Sequence, residues 1–501
     1  MSLHHIQNGK TPLASTKFKP VITNGERKGL SRSELSSIVF TNYKLEMNDV
    51  QTVTGSTLGS TFPLVKLPRD EESCDYNPFH HRKVSHPTTD GETLIHLLKG
   101  SLGSGILSMP LAFANGGLWF GLVSTFLVGI ICTYCVHILV KCSHILCRRA
   151  QVPSLAFADI AETAFLAGPP ELHKWSRFAR FIINAFLVVD LIGCCCVYNA
   201  FVATNVKQVV EQYYPEFIMD QRLYILCLLP LLLPINMIRN LKHLAPFSVV
   251  ANLLMAIGVT ITMYYIFRDL PSVTERPAIA EWHKLPMFFG TVIFALEGIG
   301  VVMSLENNMK NPSHFLGCPG VLNFGMAFVV ILYASVGFLG YLKYGDSTSV
   351  SITLDLPVDE LLAQSVKLAI AVAIFFTYAL QFYVPMEIIW KNVRGHFSES
   401  NKNWAEYAIR AVLVLGTVAT TVAIPNIGPF ISLIGAVCLS TLGLMFPSII
   451  EIITYYERPG YGKFNWVLWK NILLICFGIT GFLTGTYVSL HEIYDEIFKK
   501  V

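Results

Sequence analysis

The sequence predicts an all-α polytopic membrane protein of about eleven transmembrane helices, and both its composition and its hydropathy pattern indicate this class. The chain has 501 residues, of which 53% are hydrophobic and only 14% are charged. A helix needs roughly 20 mostly apolar residues to cross a bilayer, and such runs recur along most of the chain. We expect spans near residues 92–114, 117–141, 180–208, 223–239, 244–267, 285–306, 319–342, 362–390, 405–424, 427–450 and 468–493.

The basic residues predict the orientation of these spans. An odd number of spans places the two termini on opposite sides of the membrane. Loops after even-numbered spans contain about twice as many lysines and arginines as the opposite loops, and cytosolic loops favour these residues. We therefore expect a cytosolic N-terminus and an extracellular or luminal C-terminus, in the plasma membrane or in a lysosomal or endosomal membrane.

Charge and motif content argue against several other classes. The formal net charge is only +3 and is spread over the loops, which argues against nucleic acid as a partner. No group of cysteines and histidines has the spacing of a metal site, and no nucleophile stands beside a general base. We therefore expect neither a metal nor a cofactor, and we do not expect an enzyme.

The first 90 residues differ from the rest of the chain. They are polar, mixed in charge and without periodicity, which predicts a disordered cytosolic tail ahead of a membrane domain over 91–495. The tail contains no apolar run that could act as a secretory signal. Within it, Tyr76-Asn77-Pro78-Phe79 either acts as a tyrosine-based sorting signal or forms a turn before the first helix.

Two of the spans contain glycines near their centres. Span one carries Gly100, Gly103 and Gly105 within six residues, and span six carries Gly298 and Gly300. Each glycine costs about 1 kcal/mol relative to alanine inside a helix, so both helices are expected to be interrupted. Interrupted helices at matching positions of two five-helix halves are typical of inverted-repeat transporters.

This pattern predicts the organisation of the membrane domain. We expect repeat one over about 92–267, repeat two over about 285–450 and an extra helix over about 468–493. Alternatively, the glycines of span one provide a small-residue face for close helix packing.

Unwound backbone at mid-membrane depth predicts a polar cavity, because lipid cannot satisfy free N–H and C=O groups. The N–H groups at the start of a half-helix near Ser104 favour a carboxylate, and the free carbonyls favour an ammonium group. A zwitterionic amino acid supplies both groups. We expect substrate-binding residues in and beside the breaks, namely Gly100, Ser101, Gly103, Ser104, Gly105, Phe294, Gly298 and Gly300.

Three ionisable residues at membrane depth are candidates for proton coupling. His96 lies one turn before Gly100, and histidine exchanges a proton near neutral pH. Glu297 directly precedes Gly298, where it either relays a proton or caps free N–H groups. Asp190 lies in the middle of span three, with Lys99 as its candidate partner. For His96, the alternative is a structural hydrogen bond between helices.

The residues around these positions resemble a known family. The matching runs include His96-Leu-Leu-Lys-Gly100, Gly103-Ser-Gly105, Gly193-Cys-Cys-Cys-Val-Tyr198, Phe294-Ala-Leu-Glu-Gly-Ile-Gly300 and Phe375-Phe-Thr-Tyr-Ala-Leu-Gln-Phe-Tyr-Val-Pro385. Together they are similar to the proton-coupled amino acid transporters of the amino acid/auxin permease superfamily, including its insect members. The resemblance implies eleven spans in a five-plus-five inverted repeat, symport of a proton with a small neutral amino acid, and a coupling histidine at His96.

The chain departs from this family at two places. Family members carry a cysteine in each of two outer loops that form a disulfide, but neither 210–222 nor 343–361 contains a cysteine. Asp190 stands where relatives tend to have an uncharged polar residue. We expect a proton-coupled symporter, with a proton-independent uniporter or an amino-acid-sensing receptor as alternatives. The expected partners are a small amino acid, a proton and the lipid bilayer.

Overall fold

The apolar runs fold as helices because a bilayer offers no hydrogen-bond partners, so each crossing segment must satisfy its own backbone groups. The computed structural model describes residues 76–498, apart from positions 83, 85, 86, 102, 217, 240, 297 and 318. Most of the predicted tail, 1–90, therefore lies outside the described residues. The described part contains eleven membrane-crossing segments, counting the bent pair of span one and the shorter helix Gln221–Asn236.

The helices follow the order expected from the sequence. Spans one and six each consist of two half-helices, Asp90–Ser101 with Gly105–Gly116 and Leu285–Ala295 with Ile299–Asn307. The other spans are Leu118–Ala150 (two), Ser176–Tyr213 (three), Gln221–Asn236 (four), Leu241–Phe267 (five), Val321–Tyr344 (seven), Leu361–Val393 (eight), Lys402–Ala423 (nine), Ile427–Thr454 (ten) and Trp466–Phe498 (eleven).

Two spans differ in detail from the prediction. Span two was expected to end near residue 141, but its helix continues to Ala150, where Gln151 takes a left-handed conformation with φ of 54°. Span ten contains a π-helical segment over Gly435–Met445, which hydropathy does not signal. A π-helix widens the turn, and such segments are frequent at functional sites.

A short helix, Phe157–Ala167, lies between spans two and three and was not predicted. A search for apolar runs of about 20 residues does not detect a helix as short as this one. Arg180 of span three fixes it, because its guanidinium lies 3.1 Å from Asp159 Oδ1 and 2.8 Å from Glu162 Oε2.

The packing of the spans shows the internal repeat. Spans one to four each pack against the span five positions further on, so that span one contacts span six, two contacts seven, three contacts eight and four contacts nine. Two halves related by a two-fold axis in the membrane plane produce this pairing. The predicted eleven-helix inverted-repeat fold is confirmed for the described part of the chain.

Spans one and six approach each other most closely where their half-helices run side by side. A Cβ atom at Gly105 would lie 2.6 Å from Ala295 Cα, so only glycine allows the two backbones to meet there. The membrane face at which span one begins is called the N-terminal face, and the other is called the opposite face.

We expect Gly105→Ala to lower the thermal unfolding temperature of the purified protein, because the added methyl group would push the two backbones apart. The matched control is Gly416→Ala in span nine, where no described atom lies within 4 Å of the added Cβ. That change should be neutral or stabilising by up to about 1 kcal/mol. Equal unfolding temperatures for the two variants in detergent would contradict the close approach.

Candidate functional site

The break in span one lies between two half-helices that meet at an angle of 54°. Gly100 and Ser101 end the first half, Gly103 and Ser104 lie in the break, and Gly105 begins the second half. Among the described residues, the Ser104 side chain forms no capping hydrogen bond with the second half-helix. The positive end of that half-helix is therefore not covered by the side chain at its own N-cap.

The break in span six lies directly beside the break in span one. Gly298 precedes the second half-helix, and its Cβ position would lie 3.2 Å from Ser101 Oγ. Gly300 lies in the first turn of that half-helix. Glu297, the predicted relay or cap, lies outside the described residues. The structure thus brings the two sets of predicted glycines together at one place.

Phe294, unlike the other predicted binding residues, packs against span ten. It is buried in the last turn of the first half of span six. Its Cβ lies 3.0 Å from the Cβ position of Gly435, at the start of the π-helical segment of span ten. Phe294 therefore connects the break to span ten.

A tyrosine satisfies one carbonyl group that the break sets free. The Tyr333 hydroxyl, from the middle of span seven, donates a 2.6 Å hydrogen bond to the Ser101 carbonyl oxygen. The Gly103 N–H group donates to the same oxygen at 3.1 Å. Sequence reasoning missed Tyr333. Its signal is its mid-span position, since tyrosines in membrane proteins are usually enriched at the membrane interfaces.

Span three provides the third wall of the site. Leu187 Cδ2 lies 3.7 Å from the Cβ position of Gly300, and the Tyr198 hydroxyl lies 3.8 Å from that of Gly103. Asp190 is fully buried and lies one helical turn from Leu187, on the helix face that leads to Tyr198. The predicted residue Asp190 is therefore carried by the face of span three that borders both breaks.

The site contains one buried hydroxyl group without a hydrogen-bond partner among the described residues. Ser101 is 3% exposed, and its Oγ has no hydrogen-bond partner among the residues that the structure describes. A buried hydroxyl without a partner is costly, so a polar ligand at this position would gain the hydrogen bond. The Ser101 hydroxyl can therefore donate or accept one further hydrogen bond at the breaks.

Comparison with known proteins identifies the family. The family model described as transmembrane amino acid transporter protein matches residues 86–491. The chain belongs to this family. It is therefore a transporter and not an enzyme.

Two curated relatives of the transporter and one solved structure agree with this assignment. The chain is 46% identical to the proton-coupled amino acid transporter-like protein pathetic of Drosophila melanogaster, over 84% of this chain and 88% of that one. It is 26% identical to amino acid transporter AVT3B of Arabidopsis thaliana, over 81% and 94% of the two chains. The inward-facing structure of Mhp1 has 13% identity and a TM-score of 0.51, covering 88% of this chain and 95% of that one, which shows a shared fold.

A loop between spans seven and eight packs into the protein at the opposite face. In the loop 345–360 between spans seven and eight, Ile352 and Thr353 are buried in the protein and have no exposed surface. Thr353 Oγ1 donates to Asn205 Oδ1 of span three at 2.8 Å, and Gln208 Nε2 donates to the Leu354 carbonyl at 2.9 Å. This loop is therefore bonded to span three at the opposite face.

The first half of span one has one exposed side. His96, Lys99 and Gly100 are exposed along one side of the helix. Gly100 borders Val301 of span six, and the Lys99 ammonium donates to the Ser248 hydroxyl of span five. Lys99 therefore bonds Ser248, and the suggested pairing with Asp190 stays a prediction. His96 lies on the helix face between these two contacts, at the gap between spans five and six.

A buried ion pair fixes the segment before span one. Arg82 donates to Glu306 at 3.0 Å (Oε1) and 3.2 Å (Oε2), and to the Pro153 carbonyl at 2.8 Å. His144 Nε2 is 2.8 Å from Glu306 Oε1. Glu306, at the end of span six, is fully buried. We call the residues Arg82, His144 and Glu306 the clamp.

Backbone hydrogen bonds reinforce the clamp. The Thr88 N–H group donates to the Asn308 carbonyl at 2.9 Å, and the Lys310 N–H group donates to the Thr88 carbonyl at 2.9 Å. The chain before span one thus pairs with the chain after span six. The motif that begins at Tyr76 packs here too, with the Phe79 ring edge-on to His144 at 5.0 Å. Its sorting role stays a prediction.

We expect Arg82→Ala to destabilise the transporter by about 3–5 kcal/mol, because it leaves the buried Glu306 carboxylate without its main partner. Glu306→Gln should cost much less in the Arg82→Ala background than in the wild type, since contacting residues couple. The control is Arg268→Ala, which breaks a pair with Glu360 whose side chains are 55% and 43% exposed. That pair should contribute under about 1 kcal/mol. Additive effects of the clamp changes on thermal unfolding would contradict this account.

The loop on the opposite face contains a carboxyl group with a shifted pKa. Burial raises the pKa of Asp355 from 3.8 to about 6, although Ser349 donates its N–H group to the carboxylate at 3.0 and 3.1 Å. Nearby Lys367 of span eight acts against the shift. The folded loop therefore binds a proton at a higher pH than the unfolded chain does.

This shift predicts a pH-dependent stability. A raised acidic pKa contributes stability that is present at low pH and lost as the pH rises through about 6. We expect the unfolding temperature of the wild type to fall between pH 5 and pH 7 by more than that of Asp355→Asn. The difference should correspond to about 1 kcal/mol, because about one pKa unit of the shift falls within this pH range. The control is Asp359→Asn, which alters an exposed carboxyl group of the same loop. An identical pH response of the unfolding temperature in all three proteins would overturn the assignment of this effect to Asp355.

Proposed function

We propose that this transporter is a symporter that couples the movement of a proton to that of a small neutral amino acid such as alanine, glycine or proline. The observation that carries the proposal is the meeting of two unwound segments around Ser101, whose buried hydroxyl lacks a partner among the described residues. The start of the half-helix at Gly105 would hold the substrate carboxylate, and the free carbonyls would hold its ammonium group.

The crowding around the breaks supports a small substrate side chain. Tyr198, Leu187 and Val301 all lie within 4 Å of a Cβ position on the glycines of the two breaks. If the unwound backbone binds the main-chain groups of the substrate, the space around the substrate side chain decides which amino acids fit. We therefore assign substrate contact to Gly100, Ser101, Gly103, Ser104, Gly105, Gly298 and Gly300, with Phe294 supporting them from the side of span ten.

His96 and Asp190 are the proposed proton-coupling residues. His96 is exposed on the first half of span one, one turn before Gly100, and Asp190 is buried on span three, whose residues Leu187 and Tyr198 lie beside the glycines of the breaks. Protonation would stabilise the state that binds substrate, and the two repeats would then rock around the site. Glu297 belongs to this proposal by its sequence position alone. The name of the fly relative, proton-coupled amino acid transporter-like, agrees with coupling.

The proposed orientation places the N-terminal face in the cytosol and the opposite face on the acidic side. The positive-inside pattern of the loops supports this orientation. An acidic exterior fits either the plasma membrane beside an acid layer or a lysosomal membrane. In both cases the proton gradient would drive amino acid toward the cytosol.

The test is uptake of radiolabelled glycine, alanine and proline into proteoliposomes at two external pH values. We expect the wild type to transport faster with acid on the side of the opposite face, and His96→Ala to lose this acid stimulation while remaining folded. His491→Ala is the matched control, because His491 is exposed on span eleven, away from the breaks.

The outcomes separate the alternatives. Uptake that ignores the pH gradient in the wild type indicates a uniporter. Unchanged acid stimulation in His96→Ala removes His96 from the mechanism. In the same assay, Asp190→Asn should change the dependence of uptake on pH, and a variant with the wild-type profile would leave Asp190 with a structural role only.

A further inference from the structure

A groove separate from the two breaks lies between spans two and seven. Its volume is about 610 Å³, within the range of about 300–1,000 Å³ typical of ligand pockets. Its rim residues Phe126, Ile130 and Ile331 are exposed apolar side chains on membrane-crossing helices. The groove therefore opens sideways, toward the lipid.

The groove is long enough to hold an acyl chain of a lipid. Its lining extends on span two from Phe126 to Lys141, a distance of about 22 Å at 1.5 Å per residue. On span seven it extends from Ile331 to Asn323, near the start of that helix. Since the hydrocarbon core of a bilayer is about 30 Å thick, the groove reaches from the N-terminal face past the middle of the membrane.

The end of the groove at the N-terminal face is polar and carries an exposed cation. Lys470 Nζ lies 2.5 Å from Glu451 Oε2 and 2.9 Å from the Tyr134 hydroxyl, so the Glu451 charge is already compensated. Lys141 lies over the Tyr455 ring, and no carboxylate of the described residues is within ion-pair distance of its ammonium group. The positive charge of Lys141 is therefore available to an anion.

We propose that this groove binds an anionic phospholipid, with its phosphate at Lys141 and one acyl chain between spans two and seven. Charge complementarity selects an anionic headgroup, because the apolar length of the groove alone would accept any lipid of similar chain. The leaflet at the N-terminal face is the source of this lipid. In the proposed orientation this leaflet is the cytosolic one, which is rich in anionic lipids.

The first experiment compares phosphatidylserine with phosphatidylcholine by native mass spectrometry of the full-length protein in detergent. The wild type should retain phosphatidylserine preferentially, and Lys141→Ala should reduce that preference about fivefold. The control is Lys310→Ala, which removes an exposed lysine at the same face but outside the groove. Equal retention of the two lipids by the wild type, or equal losses in the two variants, would overturn the proposal.

The second experiment tests the acyl-chain part of the groove. Ala327 is an exposed groove residue on span seven, so Ala327→Trp should fill the groove and reduce retention of phosphatidylserine several-fold. Val412→Trp adds the same bulk to an exposed position of span nine. Thermal unfolding confirms that both variants are folded. Undiminished lipid retention in folded Ala327→Trp would reject the groove, and neither experiment depends on whether amino acids are transported.

Discussion

The structure depends on one constraint, namely that lipid cannot satisfy a free peptide group. In the described part of the chain, nine spans meet this constraint with continuous helices, but spans one and six do not. Their unwound segments are tolerated because they lie against each other and against polar side chains from neighbouring spans. The Tyr333 hydroxyl bound to the Ser101 carbonyl is the clearest example, since a side chain from span seven replaces the missing helical bond.

The same constraint explains which polar groups the two breaks leave exposed to a ligand. Groups that the helices leave free are N–H donors at one side of the break and carbonyl acceptors at the other. Glycine is required because the two helices approach each other to backbone contact at Gly105 and Ala295. The same glycines therefore provide close helix packing and an interruption of the helix, so the two alternatives that the sequence left open for span one are compatible.

The sequence predicted those features that depend on hydropathy and on glycine position. The eleven spans and the paired breaks both follow from local composition. Tyr333, Leu187 and Tyr198 could not be assigned to the site, because which face of a span meets the breaks is decided by packing between distant segments. Lys99 illustrates the same limit, since Ser248, 149 residues away, becomes its partner. The π-helical segment of span ten also has no signature in hydropathy.

The clamp has a mechanical consequence. Backbone bonds at Thr88 and the ion pair at Arg82 tie the start of one broken helix to the end of the other. The first half of span one and the second half of span six are therefore tied together at the N-terminal face, so a displacement of one would carry the other with it.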